Sequence, residues 1–270
     1  MNKNIQTFLA CDAAYEDADI VLFGAPFDGT TSFRPGTRFG PPAIRSESFG
    51  IETYSPYCDR DLTDCRIFDG GDLELPFGNP QRALEQIEAF SRQIHQDGKI
   101  PFMLGGEHLI SLAAVRAALE RYPDLHILHF DAHTDLREDY LGETLSHATV
   151  LRQIWNLVGD GRIHQFGIRS GERDEFRFAR EHNAFHPFSL QAFEDYLPPT
   201  PWQKDLLYPG SRCSRSLRFQ RYRDARTRRR EFPRSSECRV ETAYTRHRRL
   251  RCQRTGPPLR SERRVYSGRL

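Results

Sequence analysis

The chain has 270 residues, 38% of them hydrophobic and 28% charged, and a net charge of +2. This length suits one large domain or two modest ones with a sizeable core. No apolar run reaches membrane length and the opening Met1-Asn2-Lys3-Asn4-Ile5-Gln6 is not a secretory leader pattern, so a cytoplasmic, non-membrane protein is the expectation.

Ile20-Val21-Leu22-Phe23 reads as a buried strand. Asn79 and Pro80 are an N-cap and a first-turn proline for a helix that carries Leu84, Ile87, Phe90 and Ile94. Pro101-Phe102-Met103-Leu104 is a strand that passes through the glycine turn Gly105-Gly106-Glu107-His108 into a helix over residues 109–121. Residues 125–130 and 163–168 are further strands, with a helix at about 149–157. Such alternation predicts an α/β fold with a mainly parallel sheet covered by helices. Six cysteines without paired spacing predict free thiols.

Residues 209–270 depart from this pattern. They hold 20 Arg, no Lys and 5 acidic residues, a net of +15, which against the whole-chain +2 leaves −13 on residues 1–208. The sequence therefore divides into a domain at 1–208 and an arginine-rich tail at 209–270, whose composition predicts disorder.

Asp131, His133 and Asp135 follow the apolar run Leu128-His129-Phe130. In an extended backbone alternate side chains share a face, so the three can project into one cavity at the strand's end. Carboxylate oxygen with imidazole nitrogen suits Mn²⁺ or Zn²⁺, and no cysteine stands nearby to suggest a thiolate site. A lone pattern of this kind could equally cap a following helix. His108 shifts the balance: it stands at the carboxyl end of its own strand, where ligands gather in open α/β sheets, and parallel pairing would make the two motifs neighbours.

Four blocks in order resemble the ureohydrolase family of arginase, agmatinase and formiminoglutamase, most closely its agmatinase branch. They are Gly24-Ala25-Pro26-Phe27-Asp28 with Arg34-Pro35-Gly36-Thr37-Arg38-Phe39-Gly40-Pro41; Gly105-Gly106-Glu107-His108; Asp131-Ala132-His133-Thr134-Asp135; and Ser146-His147-Ala148. The resemblance spans roughly residues 10–195. It implies a three-layer α/β/α sandwich, two Mn²⁺ per subunit, assembly as a trimer or hexamer, and hydrolysis of a small cationic guanidino substrate, agmatine, to putrescine and urea. Guanidinobutyrase, arginase and formiminoglutamase activities are the alternatives within the family. By matching positions, His108, Asp131, His133 and Asp135 become metal ligands, with Asp131 bridging the ions, and His147 matches the active-site histidine.

The chemistry suits these residues. A guanidinium carbon is a poor electrophile, so attack at neutral pH needs a hydroxide, which two metals sharing a water can supply, and His147 can pass a proton to the leaving amine. Arg34 and Arg38, which would repel a cationic substrate, are expected to brace a loop or a subunit contact. The negative net charge of residues 1–208 would attract such a substrate.

The family's next strand should carry Asp-x-Asp-x-x-Asp-Pro, followed later by a glutamate that holds the guanidinium. The chain instead reads Pro209-Gly210-Ser211-Arg212-Cys213-Ser214-Arg215-Ser216-Leu217. Written as the permitted codons CCT GGA TCT CGA TGT TCT CGA TCC CTC and read one base later, the stretch gives Leu-Asp-Leu-Asp-Val-Leu-Asp-Pro-Ser. The same offset turns the segment from Arg251 to Pro258 into Asp-Val-Asn-Glu-Leu-Ala-Pro-Pro. The reading frame is therefore inferred to be lost near Tyr208. Gly210 and Arg212 then replace two aspartate ligands and Arg254 replaces the glutamate, leaving at most one well-formed metal site and an incomplete sheet. Two readings compete with an impaired enzyme: a nucleic-acid-binding protein using the basic tail, which its lack of lysine disfavours, and a non-catalytic homologue.

Overall fold

The computed structural model describes residues 6–56, 59–188 and Phe193. The expected boundary at residue 208 and the whole arginine-rich segment lie outside them. In chain order the elements are β1 (Ile20–Ala25), α1 (Gly40–Ser48), β2 (Tyr54–Ser55), β3 (Arg60–Asp61), β4 (Ile67–Asp72), α2 (Pro80–Gln96), β5 (Ile100–Gly105), α3 (Ile110–Arg121), β6 (Ile127–Phe130), α4 (Val150–Val158), β7 (Ile163–Ile168), α5 (Arg173–His182) and β8 (Ala184–Pro187).

Local chemistry explains the boundaries. The Asn79 side chain accepts a hydrogen bond from the Arg82 amide, and Pro80 supplies the first-turn φ at no hydrogen-bond cost, so α2 begins where the sequence predicts. Glu172 and Glu175 form a reciprocal capping box at the start of α5. Alternation along β1 separates two cores. Val21, Phe23 and Ala25 meet Ala83, Leu84 and Ile87 of α2 on one face. Leu22, on the other, meets Cys11, Leu104 and the half-buried Ile44 of α1. α3 packs against both α2 and α4, and Trp155 of α4 meets Phe178 of α5 edge-on at 4.9 Å. Helices on both faces of the strands give the three layers the sequence predicts.

The strands form two parallel sheets, β4-β1-β5 and β6-β7-β8, beside a small antiparallel β2-β3 hairpin. β5 pairs with β1 from Ile20↔Ile100 to Ala25↔Gly105, and β6 pairs with β7 from Ile127↔Ile163 to Phe130↔Phe166. The direct pairing of β5 with β6 expected from sequence does not occur among the described residues. Each stands at the edge of its sheet among the described strands, and Ile100, Pro101, Phe102, Ile127, Leu128 and Phe130 are only half-buried. The connection over residues 106–126, with its three turns of helix, is long enough to reach an adjacent strand or a more distant one, so adjacency is permitted and not enforced. No helix among the described residues is long and apolar enough to cross a membrane. Cys11 and Cys65 are in no disulfide, as expected; Cys58, Cys213, Cys238 and Cys252 lie outside the described residues.

Candidate active site

The site forms where the carboxyl ends of the two sheets approach each other. β5 ends at Gly105, and a Cβ at Gly106 would stand 1.9 Å from the Phe27 carbonyl oxygen, so only glycine lets the turn pass beneath the loop after β1. The Gly106 amide donates to the Ala25 carbonyl and the Glu107 amide to the Phe27 carbonyl at 2.7 Å, fixing the next residue, His108, in the interior.

β6 stops at Phe130, one residue short of the aspartate motif. The expected extended backbone through Asp131, His133 and Asp135 is therefore not what gathers these side chains. They leave the strand in a loop, and Asp135 takes a left-handed conformation, φ 50°. Its buried carboxylate is turned back into the interior at the modest strain cost that aspartate tolerates there.

His108 Nδ1 lies 2.6 Å from Asp135 Oδ2 and 3.9 Å from Asp131 Oδ2. One ligand atom from each of His108, His129, Asp131 and Asp135 falls within 4.8 Å of the others. The structure thus brings together three of the four predicted ligands and adds His129. His133 is held to the side: its Nδ1 is 3.4 Å from Asp131 Oδ1, and its side chain is 42% exposed. The two oxygens of Asp131 consequently face different imidazoles, Oδ2 towards His108 and His129 and Oδ1 towards His133.

His129 has a different chemical role from the others. The Gln165 amide nitrogen donates to the Thr134 carbonyl and to His129 Nδ1, which must accept. The remaining proton of a neutral ring then sits on Nε2, 3.6 Å from Asp131 Oδ2. His129 turns this N–H towards Asp131 at a distance too long for a hydrogen bond, and with Nδ1 engaged by Gln165 and the proton on Nε2 it offers no lone pair to a metal. Burial raises the Asp131 carboxyl, but the neighbouring imidazoles of His129, His133 and His108 outweigh it, so the net shift is downward and the carboxylate stays ionised.

The donor set fits a divalent cation. Two carboxylates whose oxygens lie within 4.8 Å repel by about 3 kcal/mol at an effective dielectric near 20. Among the described residues every ion-pair partner of Asp131 and Asp135 is a histidine, never an arginine or lysine. His108 Nδ1 and Asp135 Oδ2 touch directly at 2.6 Å, closer than the about 3.0 Å that two ligands about 2.1 Å from one ion take up at a right angle, so the pair must open by a few tenths of an ångström to admit a metal.

Asp135 and His133 open onto a cavity of about 330 Å³ that is also lined by Ser32, Tyr140, His147 and Glu172. His147, 15% exposed, follows the loop before α4 and is anchored twice to Thr30: its amide donates to Thr30 Oγ1, and its Nδ1 lies 2.8 Å from the Thr30 carbonyl. Arg38 braces the loop after β1, its Nε donating to Asp28 at 2.7 Å, which agrees with its expected structural part.

Residues 18–200 match the arginase family, and the chain belongs to it. The agmatinase of Bacillus subtilis is 51% identical over 189 residues, 70% of this chain and 65% of that protein. The crystal structure of agmatine ureohydrolase from Thermoplasma volcanium superposes with a TM-score of 0.64 at 34% identity, covering 72% of this chain and 66% of that one. A variant of Trypanosoma cruzi formiminoglutamase with Mn²⁺ gives a TM-score of 0.59 at 25% identity, with coverages of 67% and 63%. The chain spans about 65% of the length of its Bacillus relative, and the family match stops ahead of residue 209.

Proposed function

We propose that this chain is an agmatinase by descent, hydrolysing agmatine to putrescine and urea with Mn²⁺ when its reading frame is intact, and inactive as it stands. One observation carries the reading: a buried acid–imidazole cluster, with no arginine or lysine paired to its aspartates among the described residues, reaches through Asp135 the same cavity as His147. The relatives' names supply the guanidino substrate, and the Mn²⁺ named with the formiminoglutamase structure supports the metal.

His108, Asp131 and Asp135 would hold one ion and Asp131 with His133 part of a second, so binding in the chain as it stands is unequal and weak. Bound Mn²⁺ supplies Lewis acidity that lowers the pKa of a water near the guanidinium carbon. A carbonyl oxygen can only accept, so the Thr30 contact places a proton on His147 Nδ1 and leaves Nε2 to exchange one with the cavity. As the new C–O bond forms and the C–N bond to the putrescine side breaks, Nε2 of protonated His147 delivers a proton to the departing amine. Asp135 at the cavity wall favours a cation, whereas Glu172 there is already paired with Arg137 at 2.8 Å. The same reading carries assembly as a trimer or hexamer in the cytoplasm.

The test is urea release with Mn²⁺ from agmatine, arginine, guanidinobutyrate and formiminoglutamate, using the chain as it stands and one shifted by one base after Tyr208. Restored agmatine hydrolysis in the second alone is expected. Equal activity in both contradicts the frame loss; preference for another substrate contradicts the agmatine assignment.

A further inference from the structure

Glu107 takes no part in the cluster formed by its neighbour His108. Its buried carboxylate accepts from the Thr30 amide at 2.7 Å and from Thr30 Oγ1 at 2.7 and 2.6 Å to its two oxygens. Thr30 in turn receives both anchors of His147, the amide on Oγ1 at 3.0 Å and Nδ1 on the carbonyl at 2.8 Å. The Thr30 hydroxyl has one proton, spent on Glu107, so the lone pair it offers the His147 amide is aimed by that carboxylate. On the far side of the ring, Nε2 lies 3.5 Å from Ser32 Oγ at the cavity. The close passage of Gly106 beneath Phe27 brings Glu107 to this loop, so one short turn serves the acid cluster through His108 and the acid–base group through Glu107.

We propose that Glu107 and Thr30 are positioning residues for His147, holding its imidazole as the Nδ1–H tautomer with Nε2 turned to the cavity. The proposal deepens the reading of His147 as the proton donor, but the tautomer can be read without catalysis. The experiment is long-range ¹H–¹⁵N NMR of the full, histidine-labelled chain at a pH where the ring is neutral, with His147 assigned by His147→Gln. The unaltered chain is expected to show Nδ1–H alone. Glu107→Gln and Thr30→Val should each move the ratio towards Nε2–H by roughly fivefold or more, and Thr30→Ser should restore it. An unchanged ratio in folded Glu107→Gln and Thr30→Val overturns the proposal. If Glu107→Gln does not fold, Thr30→Val in its half-buried loop gives the same readout. In the frame-restored chain, Thr30→Val should lower kcat about tenfold with KM unchanged, whereas a rise in KM alone would contradict the proposal. A frame-restored chain that releases no urea would refute the proposed function and leave the tautomer result standing.

Discussion

Two sets of buried aspartates, one beside each sheet, are handled in opposite ways. On the β4-β1-β5 side, Arg45 of α1 grips Asp69 through Nε and Nη2 at 2.8 and 2.9 Å and also meets Asp72, while Arg38 holds Asp28. On the β6-β7-β8 side, Asp131 and Asp135 meet only histidines. Removing a charge from water costs several kcal/mol unless a partner compensates, so the kind of partner separates two purposes. A guanidinium completes the first set, which is structural. The second remains electrostatically open to a cation.

That contrast can be broken at several points. Asp69→Asn should cost about 3–5 kcal/mol of stability, because it removes the buried guanidinium's two-pronged partner and leaves it only Asp72, and should leave Mn²⁺ affinity unchanged in whatever folds. Thermal or urea unfolding measures the loss; a near-neutral result would remove Asp69 from the structural set. Asp131→Asn should do the reverse, weakening Mn²⁺ binding by about 100-fold or more while unfolding stays close to that of the parent. Calorimetric titration reads this, and two tight sites in the parent would contradict the unequal binding proposed above. In the frame-restored chain, His147→Ala should lower turnover by roughly 10²-fold, measured as urea release, with metal content unaltered.

A smaller effect sharpens the comparison with a third kind of buried group. His164 of β7 hydrogen-bonds His126 at 2.8 Å and also faces His186. Burial, followed by the charges of His126 and His186, pushes its pKa down to about 4 from an ordinary 6.5. Around His126 stand Arg162, which also lowers its pKa, and Asp124, which opposes that. The unfolded chain binds the His164 proton more readily, so stability is full above about pH 6.5 and falls as pH drops towards 4, by on the order of 2 kcal/mol. Melting curves across that window should flatten in His164→Gln; an equally steep fall would place the effect elsewhere.

Much of this was legible in the sequence where local chemistry decides. Asn79-Pro80 fixed the start of α2, and the glycine turn placed His108 at a strand end. The four motif blocks located His108, Asp131, Asp135 and His147. Other features depend on partners distant in sequence. β5 and β6 read as neighbours because a strand–helix–strand unit permits pairing without requiring it. The motif reads as extended because alternation carries no signal for the left-handed turn at Asp135. His129 shares the alternating spacing of 131, 133 and 135, and that parity was the available clue. Its tautomer is set by Gln165 from β7, which the sequence places 36 residues away. The parts of Glu107 and Thr30 are set by contacts across 77 residues.

The most direct test of the cation site is a titration of free Mn²⁺ by electron paramagnetic resonance against the full chain, its Asp131→Asn variant and its Asp72→Asn variant. The account predicts Mn²⁺ uptake by the parent and by Asp72→Asn, whose carboxylate answers to Arg45, and loss of uptake in Asp131→Asn. Uptake that survives Asp131→Asn, or that disappears with Asp72→Asn in a folded protein, would contradict the division between arginine-paired and cation-ready carboxylates.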